Sequence, residues 1–366
     1  MQRRHFVLNR ADKIGDVVLA LPVAGILKSA FPGCKVSLLG QRYTLPLARC
    51  CEHLDDAYAW DEMKAAPSAE RIRRFQAFAA DVIIHIYPQA AIARVARQAR
   101  IPLRIGTGRR AYHWLDCNRL VRLRRRGVAL HEAQLNIQLL RGLGLDRDYD
   151  LDALREYFGL TRIGALPSRL AAFVDPGRFN LIVHPKSAGS AREWPVGHFA
   201  RLIESLPPER FNILVTGSEK EGESVRGALP MQLPHVRDLT GKISLDELIA
   251  LINAADGLLA ASTGPLHIAA VLGKHALGIF APYRSKHAGR WGPIGPRARV
   301  FQLAEKCVSC PNASDCACMR RIAPAEVGAY LQSLRGDDAA DATARPFERL
   351  DTPGAGSLKR VQDGDK

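Results

Sequence analysis

The stretch His5–Asp16, HFVLNRADKIGD, is where the fold is decided. HFVLN reads as a short buried strand, and a polar turn carrying Gly15 follows it. An apolar-rich helical pattern then runs from about Asp16 to Phe31 and closes at Pro32-Gly33. Pro22 inside that pattern predicts a kink or a break into two pieces. Strand, glycine turn and helix in this order form the opening unit of an α/β sheet.

The same grammar continues outward. KVSLLG at 35–40 and DVIIHIY at 81–87 are further strands, and His131–Leu145 reads as an amphipathic helix ending at glycine. Strands of continuous apolar character, alternating with helices, indicate a parallel sheet covered on both faces. After a less regular stretch at 147–176 the pattern restarts. NLIVHP at 180–185, FNILVTG at 211–217, GLLAAS at 257–262 and HALGIFAP at 275–282 are the strands of this second half. Helical patterns at Trp194–Leu206, Leu245–Ala255 and from Pro265 to Leu272 lie between them. Two α/β halves are expected, 1–165 and 166–335, with a disordered tail at 336–366, where Asp, Gly, Pro and Ala occur without periodicity.

Composition agrees with two domains. The chain has 366 residues, more than one hydrophobic core usually organises. It is 47% hydrophobic and 24% charged, which is globular. A mean hydropathy of -0.10 and the lack of an 18-residue apolar run exclude a spanning helix. The basic N-terminus has too short an apolar run for a signal-peptide core, so the eight cysteines are expected as reduced thiols and the cytoplasm as the address. Fifty-two basic residues against 37 acidic ones leave +15. Eleven arginines and a single acid, Asp116, fall between Ala91 and Arg126. Such a segment is either a solvated basic face or a surface for an anionic partner.

The chemistry is expected at the carboxyl ends of the strands, where open α/β sheets bind ligands. Neither the dinucleotide fingerprint nor the P-loop is present. The first strand leads instead into Arg10–Asp16, where Gly15 permits close approach and Asp16 starts a helix; the plainer alternative makes Asp12 or Asp16 an N-cap. In the second half, Ser262-Thr263-Gly264-Pro265-Leu266-His267 describes a helix N-terminus whose free N–H groups favour a phosphate or diphosphate. Its alternative is an ordinary capped helix with His267 packed inside. HPKSAGSAREWP at 184–195 places Lys186 and Arg192 on a small-residue loop suited to anionic oxygens. Glu219 and Glu221, after VTG at 215–217, could accept hydrogen bonds from ribose hydroxyls.

Taken in order, these segments resemble the family 9 glycosyltransferases, the group that contains the ADP-heptose:lipopolysaccharide heptosyltransferases. The resemblance covers about residues 5–335. It rests on RADKIGDVVLALP at 10–22, HEAQLNIQLL at 131–140, HPKSAGSAREWP at 184–195 and VTG followed by acids at 215–223. DLTGKISLDELIALINAAD at 238–256 and STGPLHIAA at 262–270 complete it.

The resemblance implies a GT-B arrangement, two Rossmann-like domains facing across a cleft, with acceptor bound by the N-terminal half and nucleotide-sugar donor by the C-terminal half. It implies an inverting transfer without a metal ion or other cofactor. The catalytic aspartate of the family falls on Asp16, as general base toward the acceptor hydroxyl. A carboxylate at a helix N-terminus is stabilised as the anion, which opposes that role. The donor set falls on Lys186, Arg192, Glu221, Ser262, Thr263, Gly264, Leu266 and His267, with Glu219 as the alternative to Glu221. The family pattern often has Asp where this chain has Ser262, so the donor sugar is the least fixed element.

Gly15, Arg122, Arg124, Arg125 and Arg126 belong to the acceptor side, suiting an anionic glycolipid and peripheral contact with the inner membrane. Two other functions compete: a nucleotide-sugar epimerase or hydrolase of the same two-domain fold, and a basic nucleic-acid-binding protein, although no nucleic-acid module is present in the sequence. Cys307, Cys310, Cys316 and Cys318 could bind zinc, remain thiols or form a disulfide, although C-x2-C with C-x-C is tighter than standard zinc spacing.

Overall fold

The computed structural model describes residues 4–125, 128–283, 285–305, 307 and 316–334. Twelve strands form two sheets. The first contains β1 (His5–Asn9), β2 (Lys35–Gly40), β3 (Asp56–Ala59), β4 (Val82–His85), β5 (Leu103–Thr107) and β6 (Arg119–Val121). The second contains β7 (Phe179–His184), β8 (Phe211–Val215), β9 (Val236–Asp238), β10 (Gly257–Ala261), β11 (His275–Phe280) and β12 (Ala298–Gln302). Every pairing is parallel.

The orders are β3-β2-β1-β4-β5-β6 and β9-β8-β7-β10-β11-β12, so each sheet has the doubly wound Rossmann order. Two such sheets in one chain agree with the two α/β halves read from the sequence and with the GT-B arrangement that the resemblance implies. Burial explains the apolar runs: every residue of β1, β4, β8, β10 and β11 is buried, because helices cover both faces.

Pro22 breaks the first helical pattern. The helix Ile14–Val18 ends, and a second, Leu21–Ala30, starts with Pro22 in its first turn, where the missing N–H costs nothing. The first helix begins at Ile14, not Asp16, and its N-cap is Lys13, which makes no side-chain cap. Asp12 and Asp16 are therefore not N-caps. The pattern at 131–145 is α-helical only over Glu132–Ile137, then 3-10 over Gln138–Leu143, ending at left-handed Gly144.

Backbone bonds from Thr161 and Arg162 return to Cys50 of the first half, while Asn212 holds Phe173 to the second. One apolar cluster spans both halves and includes Phe6, Val17, Leu135, Leu258 and Leu266. Cys50 and Cys51 are packed within it. Arg126, Cys310 and the proposed tail at 336–366 lie outside the described residues, and none of the described cysteines is in a disulfide.

Candidate active site

Each sheet has its topological switch point between its first and fourth strands, β1/β4 and β7/β10. A cleft of about 760 Å³ opens at these carboxyl ends, a volume suited to a small-molecule ligand. The first half supplies Lys13, Ile14, Gly15, Asp16 and Tyr43. The second supplies the 187–190 loop after β7, Thr216–Ser218 and Glu221 after β8, Ser262–Pro265 and His267 after β10, and Ser285, Lys286 and Trp291.

At the cleft the helix Ile14–Val18 meets the N-terminus of the helix Gly264–Val271. A Cβ on Gly15 would lie 3.0 Å from the His267 ring and 3.5 Å from Gly264 Cα. One on Gly264 would lie 2.6 Å from Ile14 Cγ2 and 3.2 Å from Gly15 N. Both glycines are needed for close approach, and the backbone that approaches Gly15 is that of Gly264. A Gly264→Ala variant should unfold at lower temperature, because overpacking of this kind costs about 1–3 kcal/mol. A melting curve superimposable on the wild type would contradict the contact.

Asp16 belongs to a buried network of charges. Arg10, whose side chain is 3% exposed, donates to Asp16, lies 3.1 Å from Asp12 and is 3.7 Å from Glu132. The Asp12 contact lacks hydrogen-bond geometry and is purely ionic. Glu132, 2% exposed, also receives Arg125 and, from the other half, Arg290, whose Nη2 donates to Oε2 at 2.9 Å. Next to it, His131 Nδ1 accepts from Ala133 N, so Nε2–H donates to Gly292 O at 2.9 Å. Burial pushes His131 down to about 4, so the ring is neutral at pH 7.

Burial raises the Asp16 carboxyl above its ordinary range; Arg10 opposes this and Glu132 reinforces it. Burial likewise raises Asp12, to about 7, against Arg10. The helix-terminus argument for a depressed Asp16 is thus outweighed. The helix has only five residues, and desolvation of the carboxylate is the larger effect.

On the opposite side, Glu221 closes a capping box with Ser218, accepting from Ser218 N at 2.8 Å and Oγ at 2.9 Å, and from Ala188 N at 3.1 Å. These bonds hold its carboxyl below the ordinary range despite burial. Glu219 is committed to Arg226 and does not line the cleft, so Glu221 is the acid placed there. Thr263 is the N-cap of its helix but makes no side-chain cap, and its buried Oγ1 has no hydrogen-bond partner among the described residues. His267 lines the cleft; burial, then His131, pushes it down to about 3, so it is uncharged.

Two cations, Lys13 and Lys286, line the cleft, whereas Arg192, expected on the donor side, does not. Lys286 donates to Ser190 O at 2.8 Å, and burial, Lys13 and Arg192 all lower its pKa. Arg192 stacks 5.2 Å from the Tyr283 ring centroid.

The structure therefore gathers Gly15, Asp16, Glu221, Ser262, Thr263, Gly264 and His267 around one cleft. Lys186 is turned to Glu193 and does not line it. Leu266, expected on the donor side, is wholly buried in the core and does not line the cleft. Arg122 and Arg124 are exposed, whereas Arg125 is consumed by Glu132 and is not a free surface charge. No sequence motif marks Lys13 or Lys286 as a cleft residue. Lys13 stands within the RADKIGD loop, and Lys286 follows the strand 275–280, where a post-strand cation was the available signal.

Comparisons with known proteins agree with this geometry. The profile of glycosyltransferase family 9 (heptosyltransferase) matches residues 69–318. Lipopolysaccharide heptosyltransferase 3 of Escherichia coli is 24% identical over 286 residues, spanning 73% of this chain and 80% of that one. The solved E. coli ADP-heptose LPS heptosyltransferase II superposes with a TM-score of 0.71 at 19% identity, covering 90% of this chain and 97% of that one. E. coli heptosyltransferase WaaC with ADP gives 0.66 at 18%, covering 90% and 99%. With the family profile matched over more than half its length, the chain belongs to glycosyltransferase family 9 and is a glycosyltransferase of the GT-B fold.

Proposed function

We propose that the enzyme transfers heptose, or a related sugar, from an ADP-sugar to a lipopolysaccharide core acceptor, with inversion and without a metal ion. The observation that carries the mechanism is the position of Asp16. It is the only carboxylate the first half contributes to the cleft lining among the described residues, and the helix end at Thr263–Pro265 and Lys286 line the same cleft from the second half. The halves, divided at 165/166, bind acceptor and donor respectively. That a solved relative holds ADP supports the nucleotide.

In the proposed step the acceptor hydroxyl oxygen attacks the anomeric carbon while Asp16 accepts its proton. The bond from that carbon to the diphosphate oxygen breaks, and ADP leaves with the electron pair. Its charge is met by the N–H groups of Thr263 and Gly264, by Lys13 and by Lys286, with Pro265 contributing no N–H. Glu221 accepts from the ribose hydroxyls while remaining the capping residue of its own helix. The acceptor is an anionic glycolipid, which places the enzyme at the cytoplasmic face of the inner membrane. No helix among the described residues is long and apolar enough to cross a membrane.

The test is incubation with ADP-heptose and a heptose-deficient core acceptor. ADP release that requires acceptor, with a matching mass gain on the glycolipid, supports transfer. Consumption of ADP-sugar without acceptor would instead support an epimerase or hydrolase. Because lysines and a helix end serve the diphosphate, EDTA should leave the rate of washed enzyme unchanged; activity lost to chelator and restored by Mg²⁺ would contradict the mechanism.

A further inference from the structure

Four large hydrophobic side chains are exposed among the described residues: Tyr43, Trp114, Leu115 and Leu120. Tyr43 lines the cleft. The other three fall within seven consecutive residues, on the helix Ala111–Asp116 and on β6, the edge strand of the first sheet. Trp114 is 67% exposed and Leu115 76%, values at which neither contributes to a core. Trp114 Nε1 donates to Gly108 O at 2.8 Å. The indole's one polar group is thus satisfied within the chain, and the part left to solvent is its apolar face.

The exposed charges that flank these side chains in the sequence have one sign. Arg109, Arg110, Arg119, Arg122 and Arg124 are all exposed. The single acid of the 91–126 segment, Asp116, is buried and held by Arg97 at 3.0 Å. A solvated basic face explains the arginines but not three exposed apolar side chains among them. A protein partner would need a dry, complementary surface, whereas aromatic and aliphatic side chains mixed with arginine suit the boundary between headgroups and acyl chains.

Location adds to this. The chain is parallel throughout the first sheet, so Gly108–Arg110 after β5 and Arg122–Arg125 after β6 emerge at the same edge as Asp16 after β1. Arg125 then joins the segment directly to Glu132 and the Asp16 network.

We propose that Trp114, Leu115 and Leu120, surrounded by exposed arginines, form a wedge that docks the first half on an anionic lipid bilayer beside the acceptor side of the cleft. The apolar side chains enter the headgroup boundary, while the guanidinium groups pair with lipid phosphates. The placement rests on the glycolipid-acceptor reading of the first half, but the wedge itself can be tested apart from it.

The experiment is sedimentation of the full chain with phosphatidylglycerol-containing vesicles, with phosphatidylcholine vesicles as the comparison. Wild type should bind the anionic vesicles and be released by high salt. The Trp114 emission should shift to the blue on binding, identified by its loss in Trp114→Phe. The double variant Trp114→Ser, Leu115→Ser should partition roughly tenfold or more weakly, since each insertion carries a buried apolar side chain. Its melting temperature should not fall, because both residues are exposed, and its transfer to a soluble, delipidated acceptor should match the wild type.

Equal vesicle binding by wild type and double variant would overturn the wedge. So would concentration-dependent dimerisation of the wild type in ultracentrifugation that the double variant abolishes, which would assign the patch to a second copy. Failure of the wild type to glycosylate even the soluble acceptor would count against the proposed function and leave the vesicle result standing.

Discussion

Asp16→Asn is expected to lower turnover by roughly 10²- to 10⁴-fold, the range for loss of a general base, while leaving ADP-sugar affinity nearly unchanged. The amide keeps the shape and can still accept from Arg10, but it cannot take the proton of the attacking hydroxyl. Steady-state rates together with a donor-binding titration check both parts; near-normal turnover would remove Asp16 from the reaction. Asp12→Asn should be much milder, because Asp12 does not line the cleft. A pH profile adds a second constraint. Burial raises the Asp16 carboxyl, so the acid limb of kcat/KM should lie above the ordinary aspartate range. Activity is lost as pH falls through that raised value, since the protonated acid has no capacity to accept.

Glu132→Gln should lower the free energy of unfolding by about 3–5 kcal/mol, because it removes the carboxylate that Arg10, Arg125 and Arg290 share in a buried site. Chemical denaturation measures this, with Glu62→Gln at the exposed Arg42 pair as a control that should leave the midpoint in place. The same variant has a kinetic signature. Without Glu132, Asp16 loses a negative neighbour that raises its pKa and shares Arg10 with Asp12 alone. The acid limb should then move to lower pH and turnover should fall, since Asp16 becomes a weaker base. A stability loss with an unshifted limb would separate Glu132 from the tuning of Asp16.

The strands were legible because burial on both faces leaves an apolar run that needs no partner to be recognised; HFVLN, FNILV and HALGIF are of this kind. The restart of that pattern gives two α/β halves, the GT-B arrangement comes from the family resemblance, and Asp16, Gly264 and Glu221 are visible because they lie shortly beyond such strands. Helix starts were less readable. Asp16 looked like a first residue, yet the helix begins two residues earlier with no side-chain cap, because packing against Gly264 fixes it. Contacts between the halves left no local trace. Nothing near Glu132 in sequence announces Arg290, 158 residues away, and nothing distinguishes Arg125, spent on an ion pair, from exposed Arg124 beside it. Trp114 and Leu115 were hidden similarly, since an apolar pair in a short helix reads as core until the fold shows it facing outward.

Gly15 and Gly264 meet with less than a methyl group of spare room, so the spacing between the helix Ile14–Val18 and the N-terminus of the helix Gly264–Val271 is set largely by main chain, which has no rotamer to change. The same apolar cluster continues through both halves, and Arg290 reaches Glu132 across them. The junction is a weld, and the two facing strand ends are held at one separation by it.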